Sequence, residues 1–233
     1  MEHRGTVPEL ENLRDELARL RMQLDAHERD ARRRERDLRR SYEATVRALA
    51  GAVEARDAYT GKHAERVAAY GIEIARAHGI PSAEEPEMEF GFLLHDIGKV
   101  AISDTILHKP GRLTRDERNE MRRHPVIGEE IVRGIAFLGS ARQVVRSHHE
   151  RWDGDGYPDG LSGEKIPLPA RVFAVADTLD ALTSDRPYRA AASFEEARAV
   201  IEAEVGTQFD PDVARTFADI PDQRLEEIRC ALA

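Results

Sequence analysis

Residues 148–160 read HHERWDGDGYPDG, two adjacent imidazoles followed by an acidic, aromatic, glycine-rich loop. His95 and Asp96 end an apolar stretch, GFLLHD, and Asp177 lies within RVFAVADTLDAL. His63 stands near the start of a helical pattern, and His124 precedes Pro125 at a helix end. Taken singly, each has a plain explanation as a cap or a solvated side chain. Together, five histidines and two aspartates at helix ends or in apolar segments point to metal. A lone buried carboxylate is costly, so Asp177 is expected to be paired or metal-bound. Neutral imidazoles and carboxylates without thiolates suit divalent iron, manganese, zinc or nickel in sites with open positions. Seven ligands are too many for one catalytic ion and suit two ions bridged by a carboxylate.

The elements that must position these groups are helical. Val67, Tyr70, Ile74 and Ala75 form one apolar face before Gly79 and Pro81 stop the helix. Met88 to Ile97 reads as an apolar helix ended by Gly98, and Lys109-Pro110-Gly111 as a turn. Thr114 with Glu117, and Ser193 with Glu196, fit capping boxes. Pro169 opens a helix through Ala170 to Leu182, and Gly206 ends one over 194–205. No segment alternates as a strand does. The expected class is all-α, a helical bundle preceded by a long N-terminal helix.

That leading helix covers 1–56, with the remaining domain at 57–233. Leu10, Leu13, Leu17, Leu20 and Leu24 recur at spacings of three and four, an a/d seam flanked by Glu and Arg. The seam weakens at His27, Ala31 and Arg34, and ARRRERDLRR is nearly all charge. Glu28, Asp30, Glu35 and Asp37 interleave with those arginines, so a solvated helix is expected there, not a nucleic-acid or lipid surface. The early heptads predict a homodimer through this helix. The net charge of −9 argues against a nucleic-acid polymer as partner. The single cysteine, Cys230, excludes an internal disulfide and a cysteine-based zinc site. No apolar run is long enough to span a bilayer, and no signal peptide is legible, so a cytoplasmic location is expected.

HDIGKVAISDTIL (95–107), KPGRLT (109–114), HHERWDGDGYPDGLSGEKIP (148–167) and ARVFAVADTLDALTSDRPYR (170–189) resemble the HD-GYP family of HD-domain metal-dependent phosphohydrolases. The resemblance runs from about Asp57 to about Phe217. It implies an HD-domain helical bundle, a bridged metal pair, most simply iron or manganese, and hydrolysis of cyclic di-GMP to linear pGpG, or on to GMP, by a metal-bridged hydroxide. Carried over residue by residue, His63, His95, Asp96 and Asp177 would hold one ion. Asp96, His124, His148 and His149 would hold the other. Lys99 would face the scissile phosphate. Gly156, Tyr157 and Pro158 would shape the loop beside the site, and Arg186 and Arg189 would hold the second phosphate. Some members support a third metal with a glutamate four residues before the first ligand histidine. Here that position is Tyr59, so two ions are expected. Ser103 and Asp155 also depart from the usual pattern, at positions that are not ligands. Other readings are a phosphohydrolase for another cyclic dinucleotide or nucleotide, and a metal- and dinucleotide-binding scaffold for a GGDEF-type partner. For the upstream signal three alternatives stay open: a complete and constitutive chain, a truncated one, or a separate sensor protein recruited by the helix.

Overall fold

The computed structural model describes residues 7–56, 62–81, 85–139, 141–185 and 190–232, with side chains from Glu11 onward except that of Glu85. It is all-α. Among the described residues the one strand-type pairing is an isolated bridge between Val205 and Phe209. The chain divides into two compact units, Met1–Thr45 and Val46–Ala233.

The first unit belongs to α1 (Val7–Arg56). Its leucine seam is exposed: Leu13, Leu17, Leu20 and Leu24 each keep more than half of their surface. The arginine run is paired along its own helix, Arg32 with Glu28, Arg33 with Asp37 and Arg34 with Asp30, each four residues apart.

The second unit begins within α1. Val46, Ala50 and Val53 are buried at the spacing of one helix face. α2 (His63–Ala77) packs on α3 (Glu85–Leu93) and on α8 (Leu168–Thr183). α6 (His124–Arg133) and α7 (Ala141–Ser147) pack together, and α7 also contacts α3 and α8. Tyr70, Phe92, Phe173, Leu94 and Leu179 fill the centre. α9 (Phe194–Ala203), α10 (Pro211–Ala218) and α11 (Asp222–Ala231) close the far side. Both predicted capping boxes are present, at α5 (Arg115–Met121), which follows the short α4 (Asp104–Leu107), and at α9.

Two helix ends fall short of expectation: α9 stops at Ala203, two residues before 205, and α3 stops four residues early. α3 ends at Leu93, not Ile97, and Gly98 lies inside a 3-10 turn, Ile97–Ala101, instead of ending a helix. The cause is local. The Phe92 carbonyl, which a continuing helix would bond to the amide of Asp96, accepts from the His95 ring at 2.8 Å. The chain leaves the α-helix there, at Asp96. Gly98 then lets the turn lie backbone to backbone against α6, because a Cβ at this position would collide with the His124 carbonyl oxygen and crowd the Gly128 amide.

Candidate metal centre

Three of the predicted histidines are oriented in the same way. His95 follows α3, His124 follows α5 by three residues, and His148 follows α7. The last carbonyls of a helix lack amide partners. In each case the imidazole Nδ1 donates to the carbonyl three residues earlier: His95 to Phe92 at 2.8 Å, His124 to Met121 at 2.8 Å and His148 to Val145 at 2.9 Å. A carbonyl only accepts, so Nδ1 carries the proton, and in its neutral form each ring presents the Nε2 lone pair inward.

Those nitrogens converge on Asp96. Its Oδ2 lies 3.1 Å from His95 Nε2, and its Oδ1 lies 3.2 Å from His124 Nε2 and 3.9 Å from His148 Nε2. Ligand atoms of Asp96, His124, His148 and His149 all fall within 4.8 Å of one another. His124 Nε2 and His148 Nε2 are 3.1 Å apart and buried. Two lone pairs facing each other at that distance repel unless a proton or a cation lies between them. The donor set therefore fits a divalent ion.

The other predicted ligands line an adjoining pocket of 160 Å³ with His63, His95, Asp96, Lys99, His149 and Asp177 on its wall. His63 opens α2, and its Nε2 is 3.4 Å from Asp177 Oδ1. Lys99 Nζ sits 2.8 Å from Asp96 Oδ2. Burial opposes ionisation of Asp96, but the charges of His95 and Lys99 outweigh it and hold this carboxyl well below its ordinary value. Burial, followed by the charge of His124, pushes His149 down to about 3. Burial, with His149 next, also lowers His148. Against its own burial, Asp96 raises His95.

Asp177 pairs with His63, as expected, but is not the buried carboxylate that its apolar neighbours suggest. Its side chain is 36% exposed and faces the pocket. The buried one is Asp180, one turn later and 2% exposed. Asp180 Oδ2 accepts from His63 Nδ1 at 2.7 Å, and Arg66 Nε donates to its Oδ1 at 2.6 Å. Asp177 and Asp180 share similar apolar surroundings in sequence, and only the packing of α2 on α8 distinguishes them.

The loop of residues 154–161 is built on Glu150, another group the sequence did not disclose. Glu150 is buried and accepts from the amides of Asp159 at 2.7 Å and Leu161 at 3.0 Å. Arg146 donates to both carboxylate oxygens of Asp159 at 2.7 Å. Gly156 approaches the Glu150–Arg151 backbone so closely that a Cβ would overlap it. The Tyr157–Pro158 peptide is cis. The Tyr157 amide donates to the His149 carbonyl at 3.1 Å, and its ring stacks on the His149 imidazole, centroids 4.6 Å apart. The Arg122 guanidinium lies 4.8 Å from the Tyr157 centroid, and burial pushes the Tyr157 phenol up to about 12. A second pocket of 210 Å³ opens here, sharing His149 and Asp177 with the first and adding Arg122, Arg151, Thr178 and Gln208. Arg186, Arg189 and Tyr59 lie outside the described residues.

Comparison with known proteins agrees with this architecture. Residues 47–213 match the HD domain family model. The chain is similar to the cyclic di-GMP phosphodiesterase response regulator RpfG of Xanthomonas campestris, 42% identical over 86% of this chain and 52% of that protein. It is also similar to 3'3'-cGAMP-specific phosphodiesterase 2 of Vibrio cholerae, 39% identical over 78% of this chain and 35% of that one. The chain thus spans about half or less of the length of these relatives. Among solved structures, a cyclic GMP-AMP specific phosphodiesterase of V. cholerae shares the fold, with a TM-score of 0.59 at 21% identity over 79% of this chain and 53% of that one.

Proposed function

The chain belongs to the HD domain family, in its HD-GYP branch, and we propose that it is a metal-dependent cyclic di-GMP phosphodiesterase. The observation that carries this reading is the split of Asp96, one oxygen toward His95 and the other toward His124 and His148. A carboxylate so placed suits a pair of ions. His63, His95, Asp96 and Asp177 would hold one, and Asp96, His124, His148 and His149 the other, with iron or manganese suited to such nitrogen and oxygen donors. Divalent ions bound there would acidify water and neutralise charge on a phosphodiester.

The protein's own groups supply the rest. Lys99, beside Asp96, is a fixed positive charge at the mouth of the centre and would stabilise negative charge developing on the phosphate. Asp96 stays ionised because its neighbours hold its carboxyl low. Gly156 and Tyr157, in the loop with Pro158, form one wall of the second pocket, where a dinucleotide would continue beyond the reacting phosphate. Arg186 and Arg189 are assigned to the second phosphate on their sequence motif. Water adds its oxygen to phosphorus, the bond to the 3' oxygen breaks, and that oxygen leaves with a proton, giving linear pGpG.

The exposed leucine seam of α1 supports a homodimer through this helix. Because relatives of both substrate types exist, the direct test is competition. Metal-loaded protein is given cyclic di-GMP and 3'3'-cyclic GMP-AMP together, and both are followed by chromatography. Faster loss of cyclic di-GMP with formation of pGpG is the expected result. Loss of the mixed dinucleotide alone, or of neither, would overturn the assignment.

A further inference from the structure

The last turn of α1 carries two side chains that bond two segments flanking the candidate metal centre. Arg56, the final residue of the helix, donates from Nη1 to the carbonyls of Lys99 at 2.8 Å and Val100 at 2.6 Å. Its Nη2 donates to the Ile102 carbonyl at 2.6 Å and to Asp104 Oδ1 at 2.9 Å. One planar guanidinium thus gathers the exit of the 3-10 turn that carries Lys99. A short turn leaves such carbonyls with few partners of its own, and a lysine ammonium does not reproduce the rigid fork. The Arg56 carbonyl in turn accepts from His108 Nε2 at 2.7 Å, which fixes the end of the helix.

Glu54 does the corresponding work on the other side. α2 begins at His63 without a cap of its own, since Lys62 at the N-cap makes no side-chain bond there. Glu54 Oε1 instead accepts from the Ala64 amide at 2.6 Å. The first turn of the helix that bears His63 is therefore capped from α1. Ala50, Val53 and Glu54 also line the pocket with His63, Asp96 and Lys99.

We infer that Arg56 and Glu54 are positioning residues for this centre. Arg56 holds the 3-10 turn so that Lys99 stays beside Asp96, and Glu54 holds the start of α2 so that His63 stays opposite Asp177. The catalytic consequence rests on the phosphodiesterase reading. The structural consequence does not.

The test uses the full chain in four forms besides the wild type. Arg56→Lys keeps the charge and removes the fork. Glu54→Ala removes the cap, and Glu54→Gln restores an acceptor. Arg47→Ala is the control for the turn, because Arg47 lies on the same helix, pairs with Glu65 and Glu89 and does not touch the turn. Hydrogen exchange is read on metal-free protein. Arg56→Lys should speed exchange over residues 97–104, and Glu54→Ala over 63–67 with recovery in Glu54→Gln. Arg47→Ala should leave 97–104 at the wild-type rate. With manganese loaded, misplacing Lys99 should lower kcat for cyclic di-GMP by about tenfold in Arg56→Lys, with KM within about twofold and metal content unchanged. Wild-type exchange over 97–104 in Arg56→Lys, or the same acceleration in Arg47→Ala, overturns the inference. Should the wild type fail to cleave cyclic di-GMP, the functional reading falls, and the exchange data alone decide the positioning role.

Discussion

The imidazoles of the centre are held by two kinds of partner. His95, His124 and His148 donate through Nδ1 to backbone carbonyls, whereas His63 donates to the buried carboxylate of Asp180. A carboxylate partner makes Nε2 a stronger donor and fixes the ring. Asp180→Asn keeps the shape and removes the charge, and should weaken metal binding about tenfold to a hundredfold, read by titrating metal into the full chain. Unchanged affinity would show that Asp180 only pairs with Arg66. Lys99→Met should lower turnover by about a hundredfold with metal content retained. The lowered histidines also set an acid response. His149 titrates at about 3 in the fold and His148 is held below its ordinary value, while both titrate near 6.5 when unfolded. Between those values the unfolded chain binds more protons, so stability is lost as pH falls from about 6.5 toward 3. His95, raised in the fold, acts in the opposite sense, but alone against two. Metal-free protein should therefore melt at a lower temperature at pH 5 than at pH 7. A midpoint that held or rose would contradict these burial effects. The histidines that surround Asp96 were legible as a group because they fall at helix ends beside apolar segments. Asp180 was not, because the sequence does not say which of two carboxylates in an apolar helix turns toward a histidine.

Among the elements, the helices were read from periodicity, and the two capping boxes from spacings of three residues. The end of α3 was missed because apolar residues continue to Ile97, past the point where the His95 ring takes the Phe92 carbonyl. That early end turns Asp96 out of helical register and toward the histidines, so the missed boundary is part of the site. The 3-10 turn meets α6 at Gly98, where no side chain fits. Gly98→Ala should destabilise the fold by about 2–3 kcal/mol through overpacking, and denaturant unfolding would measure it. A neutral result would mean that the turn can move off α6. Glu150 was hidden in sequence by the histidines beside it. Its role appears only once the loop closes and two amides point at one buried carboxylate.

For the whole molecule, the sequence suggests a leading helix over 1–56, while the compact unit that holds the site starts at Val46. Val46, Ala50 and Val53 are buried, and Glu54 and Arg56 bond the site's frame. Periodicity shows that a helix continues but not where its apolar face passes from a seam to a core. Removal of residues 1–45 should convert a dimer to a monomer in light scattering and leave the melting transition in place. An unchanged mass would exclude the leucine seam as the dimer contact. The central claim, that a centre bridged by Asp96 cleaves cyclic di-GMP, is tested most directly by product analysis. The chain is purified anaerobically, loaded in parallel with ferrous iron and manganese, and incubated with cyclic di-GMP beside an Asp96→Ala control. Formation of pGpG by the metal-loaded wild type alone is the predicted result. Intact cyclic di-GMP in the presence of two bound ions per chain would contradict it.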